Sequence, residues 1–429
     1  MSDDTQHGFH TLAIHAGSQP DPTTGARQTP IYQSTSFVFQ DTEHAADLFA
    51  LKKLGYIYSR LTNPTIGVLE ERMANLEGGV GATATSSGHA AQLTALFAFM
   101  APGAHIVAAK QLYGGSINQL SVSFPRAFGW NTTFVDATKP ETFKAALTPE
   151  TRCLFIESLA NPGGIVTDIE AIANIAHDAG VPLLVDNTMA TPYLCNPLKH
   201  GADIVVHSTT KFLSGNGTSI GGVIVDRGGF DWSSSDKFAA LNGPEKGYHD
   251  LNFHETFGNM AFTFHGHAVG LRDLGANQQP LNAFLTLLGI ETLGLRMKRH
   301  CENALAVAKH LEKHDKVSWV SYAGLETSPF HALSQKYLPR GAGAVFTFGL
   351  KGGFDAGKKV VNSVKLASHL ANIGDLRTLI IHPASTTHSQ LDENALREAG
   401  ATPETVRLSI GLEDPEDIIA DLDQALAQA

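Results

Sequence analysis

The stretch HSTTKFLSGNGTSIGG, residues 207–222, sets one lysine, Lys211, between a run of hydroxyl residues and a run of glycines. The residues just before it, ADIVV, read as a buried strand, so the amine stands where an apolar segment ends. Such a lysine is either an exposed loop residue, as most lysines are, or a partly desolvated amine whose lowered pKa makes it a nucleophile toward aldehydes. The neighbours favour the second reading. Ser208, Thr209 and Thr210 offer hydroxyl donors, and Gly215, Gly217, Gly221 and Gly222 let main chain approach a ligand closely. No GxxxxGK leads into the segment, so it is not a nucleotide P-loop. An amine beside hydroxyls suited to a phosphate fits one cofactor best, pyridoxal 5'-phosphate held as an imine on Lys211.

That cofactor needs an acid to keep its pyridine nitrogen protonated. Asp186 ends LLVDN, 25 positions before Lys211; alone it reads as a turn or helix-cap residue, and with Lys211 it reads as the ring's partner. The phosphate needs a cradle. SSGHAA places the main-chain N–H groups of Gly88 and His89 where a helix begins, a ready anion site that is compatible with a plain N-cap serine. His89 is expected to serve through its backbone and not as a base.

Other patterns fail on spacing. GVGATA (79–84) precedes its strand instead of following it, so it is no dinucleotide fingerprint. HETFG at His254 has no second histidine, and His382 and His388 in HPASTTH are six apart, which suits neither a helix face nor a strand face for a metal. No metal site is expected.

The elements that must hold these residues are legible between about 80 and 225. ATAT (82–85), HIVAA (105–109), TTFVD (132–136), CLFIES (153–158), PLLVDN (182–187) and DIVVHS (203–208) are apolar runs without alternation, separated by helical patterns. They predict a mostly parallel sheet sandwiched by helices, with its ligand beyond the strands' carboxyl ends. Polar residues collect at those ends: Ser86–Gly88, Asn161–Gly163, Asp186–Asn187 and Ser208–Lys211. Residues 1–60 are rich in turn signals and poor in core pattern, and read as an arm packed on another subunit. Residues 61–265 then form the cofactor domain. Residues 266–429 form a smaller α+β domain containing GAVFTFGL and TVRLSIG as strands, with Leu293, Met297, Ala304, Val307 and Leu311 on one helix face.

The bulk numbers exclude several classes. With 31 Lys+Arg against 42 Asp+Glu, a net charge of −11, and no dense basic run, nucleic acid and anionic membrane are poor partners. No apolar run approaches a membrane span. Three cysteines, Cys153, Cys195 and Cys301, lack CxxC spacing and read as reduced thiols of a cytoplasmic protein; MSDDTQHGFH has no signal core. The sequons at Asn131 and Asn216 are then chance matches.

YSRLTNPT, SSGHAA, LYGG, ESLANP, VDNTMATP, HSTTKFLSGNG and VRLSIGLED, in that order, resemble the cysteine/methionine-metabolism family of fold-type I pyridoxal-phosphate enzymes. The resemblance spans nearly the whole chain, from LAIHAG to VRLSIGLEDPEDIIADL. It implies that Lys211 holds the cofactor and moves protons, and that Asp186 meets the pyridinium nitrogen. Tyr113 would stack on the ring and assist the leaving group. Ser208, Thr210, Gly88 and His89 would hold the phosphate, with Tyr58 and Arg60 reaching it from a neighbouring subunit in a homotetramer of two site-sharing dimers. The alternative for Tyr58 and Arg60 is a polar surface loop. Arg407 would clamp the substrate's carboxylate, the alternative being an ion pair with Glu413 or Asp414; Asn161 and Asn372 would complete the pocket.

Within the family, Asn372 in NIGDLRTLIIHPASTTHSQL, the stretch RDLGANQQPLNAFLTLLG and the insert GYHDLNFHETFGNMAF are similar to the branch that exchanges the acetate of O-acetylhomoserine for sulfide. Gly115 stands where methionine γ-lyases tend to carry cysteine. The implied reaction is a γ-replacement giving homocysteine, with cystathionine γ-synthase or a γ-lyase as the alternatives on the same scaffold. His265 and His267 stand where that branch more often has Lys and Arg, Asp250 stands where it has Gly, and Arg377 adds a cation near Asn372. O-succinylhomoserine and methanethiol therefore stay open as partners.

Overall fold

The computed structural model of the chain describes residues 7–387 and 400–429; His388 lies outside them. Seven strands form the main sheet: β1 (Gly81–Thr85), β2 (His105–Ala109), β3 (Asn131–Val135), β4 (Thr151–Glu157), β5 (Leu183–Asp186), β6 (Ile204–Ser208) and β7 (Gly222–Asp226). Their order is β1-β7-β6-β5-β4-β2-β3. All pairings are parallel except those of β7, which runs antiparallel to both β6 and β1. Strands such as IVVHS and HIVAA are buried almost throughout, which is why their sequences do not alternate. β7 is an addition to the expected set. Residues 209–221 form no helix that could carry a crossover, so the chain returns beside β6 in the reverse direction.

Helices cover the sheet and begin on legible caps. In α3 (Pro64–Glu77) the Asn63 side chain accepts from Thr65 N and proline opens the first turn. In α4 (Gly88–Phe97) Ser87 accepts from Ala90 N. Asp168 caps the helix Ile169–Asp178 in the same way. Each such cap is worth about 1 kcal/mol. The core between sheet and helices is built of fully buried Leu69, Met73, Ile106, Val107, Ile156, Ile204 and Val205.

A second sheet holds β8 (Val317–Ser321), β9 (Val345–Leu350), β10 (Ser368–His369), β11 (Leu379–Ile381) and β12 (Thr405–Ser409), in the order β10-β11-β12-β9-β8. The helix Leu293–Glu312 packs against it, burying Leu293, Met297, Ala304, Val307 and Leu311 as their spacing predicts. A preceding helix, Pro280–Glu291, is separated from it at Thr292. The expected division at 265/266 falls inside an unbroken helical run from Ala261 to Leu274.

The arm carries α1 (Phe9–His15) and α2 (Thr42–Phe49) and buries little: Val38 is 98% exposed and Leu54 69%. Among the described residues no helix is long and apolar enough to cross a membrane.

Candidate active site

β4 and β5 end in register and β6 runs two residues further, so Glu157, Asp186 and Ser208 arrive at one edge of the sheet. A cavity of about 260 Å³ opens there, walled by residues of α4, of these strand ends and of the segment 371–373. Lys211 lies in its wall. Burial, with the Arg407 guanidinium as a second cause, pulls the Lys211 amine from the usual lysine range down to about 8, and its Nζ donates to Asn372 Oδ1 at 2.5 Å. An amine so placed is a workable nucleophile and base near neutral pH.

The anion cradle forms where α4 meets β6. A Cβ on Gly88 would come within 2.7 Å of the Ser208 Cβ, so only glycine lets the helix N-terminus press against that strand end. Among the described residues no hydrogen bond engages the amides of Gly88 and His89, as expected of a helix's first turn. Thr210 Oγ1 takes part in hydrogen bonds with the main chain of Gly221, which closes the loop around the site. Thr209 is fully buried and no part of the cavity wall, so the hydroxyl residues of this run that line the cavity are Ser208 and Thr210. Asp186 Oδ1 accepts from Thr188 N at 2.9 Å and Oδ2 from Gln92 Nε2 at 3.3 Å, which fixes the carboxylate's direction. Lysine, carboxylate and amide cradle thus meet in one cavity, the donor set that pyridoxal phosphate requires.

The opposite wall comes from the second sheet. Arg407 on β12 donates to Asn161 Oδ1 and to the Asn372 carbonyl, both at 3.2 Å. The alternative ion pairs are absent: Glu413 accepts from Thr378, and Asp414 pairs with Arg299. Among the described residues no carboxylate pairs with Arg407, and burial pulls its guanidinium down to about 10. A desolvated cation with fork geometry and no acid of its own is built for an incoming carboxylate.

Tyr113 stands half-exposed at the mouth, its ring stacked on that of His89 with centroids 5.8 Å apart. A side chain at Gly115 would collide with both rings. Tyr58 and Arg60 are elsewhere in this chain. They border a separate cleft with Gln33, Ser34 and Asn277, and Arg60 donates to the Arg272 carbonyl. Arg377 is paired with Asp375, and burial holds His265 down at about 4, so neither adds a charge to the cavity. Among the described residues no group of His, Cys, Asp and Glu gathers as metal ligands would.

Sequence reading missed Glu157 and Gln92. Glu157 did carry a signal, a charged residue ending an apolar run, as at Asp186. Gln92 carried none, because a polar residue inside a helix says nothing of a partner 94 positions away.

A mostly parallel sheet with lysine, aspartate and a helix N-terminus at its carboxyl edge defines a fold-type I pyridoxal-phosphate enzyme. The chain belongs to the Cys/Met metabolism PLP-dependent enzyme family, matched over residues 10–427. It is 51% identical over 431 residues to the homocysteine synthase of Schizosaccharomyces pombe, covering all of both chains. It is 51% identical to the O-acetyl-L-homoserine sulfhydrylase of Leptospira meyeri, covering 97% of this chain and 96% of that one. Among solved structures, an O-acetylhomoserine (thiol)-lyase from Campylobacter jejuni superposes with a TM-score of 0.95 at 39% identity, over 98% of this chain and all of that one. That crystal structure carries a pyridoxyl-lysine monophosphate.

Proposed function

We propose that the protein catalyses γ-replacement, exchanging the acetate of O-acetyl-L-homoserine for sulfide to give L-homocysteine. The observation that carries an amino-acid substrate is the acid-free Arg407 guanidinium in the same cavity wall as the Lys211 amine, both bonded to Asn372. The choice of ester and of sulfide follows relatives about half identical over their full length that are named for this chemistry.

When bound, pyridoxal phosphate supplies an electron sink conjugated with the substrate's Cα. Gly88, His89, Ser208 and Thr210 would hold its phosphate and Asp186 its ring nitrogen. Everything else falls to the chain. Arg407, steadied by Asn161, takes the substrate's carboxylate and so presents Cα to one side of the cavity. Lys211, with an amine pKa of about 8, removes the Cα proton and then a Cβ proton, whose electron pair expels the group on Cγ, and returns both protons once the new bond has formed. Asn372 Oδ1 orients that amine. Tyr113 at the mouth assists departure of acetate, which leaves Cγ with the C–O electron pair, and hydrosulfide forms the new C–S bond there.

The arm 1–60 would serve a second subunit, lending Tyr58 and Arg60 to its partner's phosphate in a dimer, two dimers making the tetramer. We draw the cofactor domain from 61 and shift the start of the C-terminal domain from 266 to Thr292, between two helices. A cytoplasmic setting is supported by three buried, unpaired cysteines.

The test is homocysteine formation by the pyridoxal-phosphate-loaded protein from O-acetylhomoserine and sulfide, with O-succinylhomoserine, methanethiol, and cysteine as acceptor run in parallel. The acetyl ester with sulfide should be fastest, and Lys211→Ala should lose both turnover and the near-visible band. Faster reaction with cysteine as acceptor, or with the succinyl ester, would sink the substrate assignment.

A further inference from the structure

Glu157 has no part in the roles above, yet it sits in the cavity wall, 4% exposed, in register with Asp186 on the next strand. Its Oε1 accepts from the main-chain N–H of Tyr113 at 2.6 Å, and its Oε2 from that of Asn161 at 3.1 Å. Burial, and secondarily the Asp186 charge, pushes its carboxyl well above the ordinary carboxylate range. A second acid beside Asp186 is an expensive wall, and an apolar residue of similar volume would avoid that desolvation. What an apolar residue could not do is accept two hydrogen bonds. Tyr113 follows β2 and Asn161 follows β4, so the two loops come from different strands. Their side chains do different things in the cavity: the Tyr113 phenol stands half-exposed, while the Asn161 amide accepts from Arg407.

We propose that Glu157 is a positioning residue for the reaction, its two oxygens fastening the main chain of Tyr113 and of Asn161 so that the phenol and the Arg407 corner keep a fixed separation. This rests on the reading of the cavity as a pyridoxal-phosphate and amino-acid site. Reacting groups displaced by about 1 Å can lose roughly 100-fold in rate, so a strut between them matters although it touches no reacting atom.

The experiment compares loaded wild type, Glu157→Gln, Tyr113→Phe and the double variant. Glutamine keeps the shape but accepts with one oxygen only, leaving one N–H facing an NH2. Glu157→Gln should keep the visible band, since Lys211 and Asp186 are intact, while that band's circular dichroism changes. Its kcat/KM should fall about 10- to 100-fold, part of it as a raised KM for the amino acid through Asn161. In the Tyr113→Phe background the same change should cost at least about 5-fold less, because the two residues act through one contact. Unaltered dichroism, a kcat/KM within about 2-fold of wild type, or losses that simply multiply would each overturn the assignment. If Glu157→Gln does not accumulate, Glu157→Asp, one methylene short of the second donor, is expected to change the dichroism in the same way. The dichroism is read without substrate, so a failure here is separable from a wrong choice of ester.

Discussion

Lys211 and Arg407 both bond Asn372 in the cavity wall, and, besides burial, the repulsion between the two basic groups lowers the amine's pKa. Arg407 is the second cause, after burial, of the lowered Lys211 pKa, so the group proposed to bind the substrate's carboxylate also helps keep the base unprotonated. A carboxylate bound at Arg407 would be held by charge-assisted hydrogen bonds in a fork that lysine cannot reproduce. Arg407→Lys should therefore raise KM for the amino-acid substrate by about 30- to 150-fold, the equivalent of roughly 2–3 kcal/mol. The visible band should stay intact and kcat should fall less than KM rises. Steady-state kinetics beside an absorbance spectrum checks this, and an equal loss in kcat would mean the guanidinium acts on the reacting centre instead. At this scale Asp186, Ser208 and Lys211, which the structure gathers in one cavity, were legible because they end apolar runs in polar clusters. Arg407 was legible only through resemblance. Its partner Asn161 is 246 positions away, and no local pattern encodes a contact that exists only once two sheets have come together.

Unalternated strands announced the main sheet and its mostly parallel course, but not the reversal at β7. GVIVD of β7 looks like its neighbours, and its antiparallel course follows from the helix-free loop before it. The junction at Thr292 was likewise hidden, since the apolar stripe runs on across it. The helical run Ala261–Leu274 shows what composition alone obscures at His267. Nδ1 of His267 lies 2.9 Å from the Leu61 carbonyl and Nε2 lies 3.2 Å from that of Ala82, with Glu70 Oε1 3.4 Å away. Carbonyls only accept, so both ring nitrogens must carry protons and the ring is an imidazolium. Burial opposes that charge, but Glu70 and the two carbonyls outweigh it and raise the pKa above the ordinary histidine value. A raised folded pKa gives stability that is full below about pH 6.5 and is lost as pH climbs through the folded value. The cation ties the end of the arm to β1, so His267→Gln should lower the melting temperature most at pH 6, with the gap to wild type narrowing toward pH 9. Melting curves across that range decide it, with Glu70, the ionisable group beside the ring, unchanged. A gap independent of pH would mean the ring is neutral.

In the proposed dimer the arm would serve a second copy. Val38, Phe49 and Leu54 are exposed apolar side chains on a segment with almost no core of its own, and Tyr58 and Arg60 stand on the same stretch, away from the Lys211 cavity. A monomer leaves that surface to water, whereas a two-fold pair would cover it and carry Arg60 to the partner's phosphate by the same operation. Each site would then draw Lys211 from one chain and Arg60 from the other. Lys211→Ala and Arg60→Ala should each give nearly inactive protein when prepared alone. Unfolded together in equal amounts and refolded, half of the resulting dimers would be hybrids, in which one site carries both substitutions and the other carries neither. Activity should return to about one quarter of wild type (half the dimers, one of two sites). No return of activity in material shown to contain hybrids would confine the site to a single chain, and Arg60 would then be a surface residue held by the Arg272 carbonyl and nothing more.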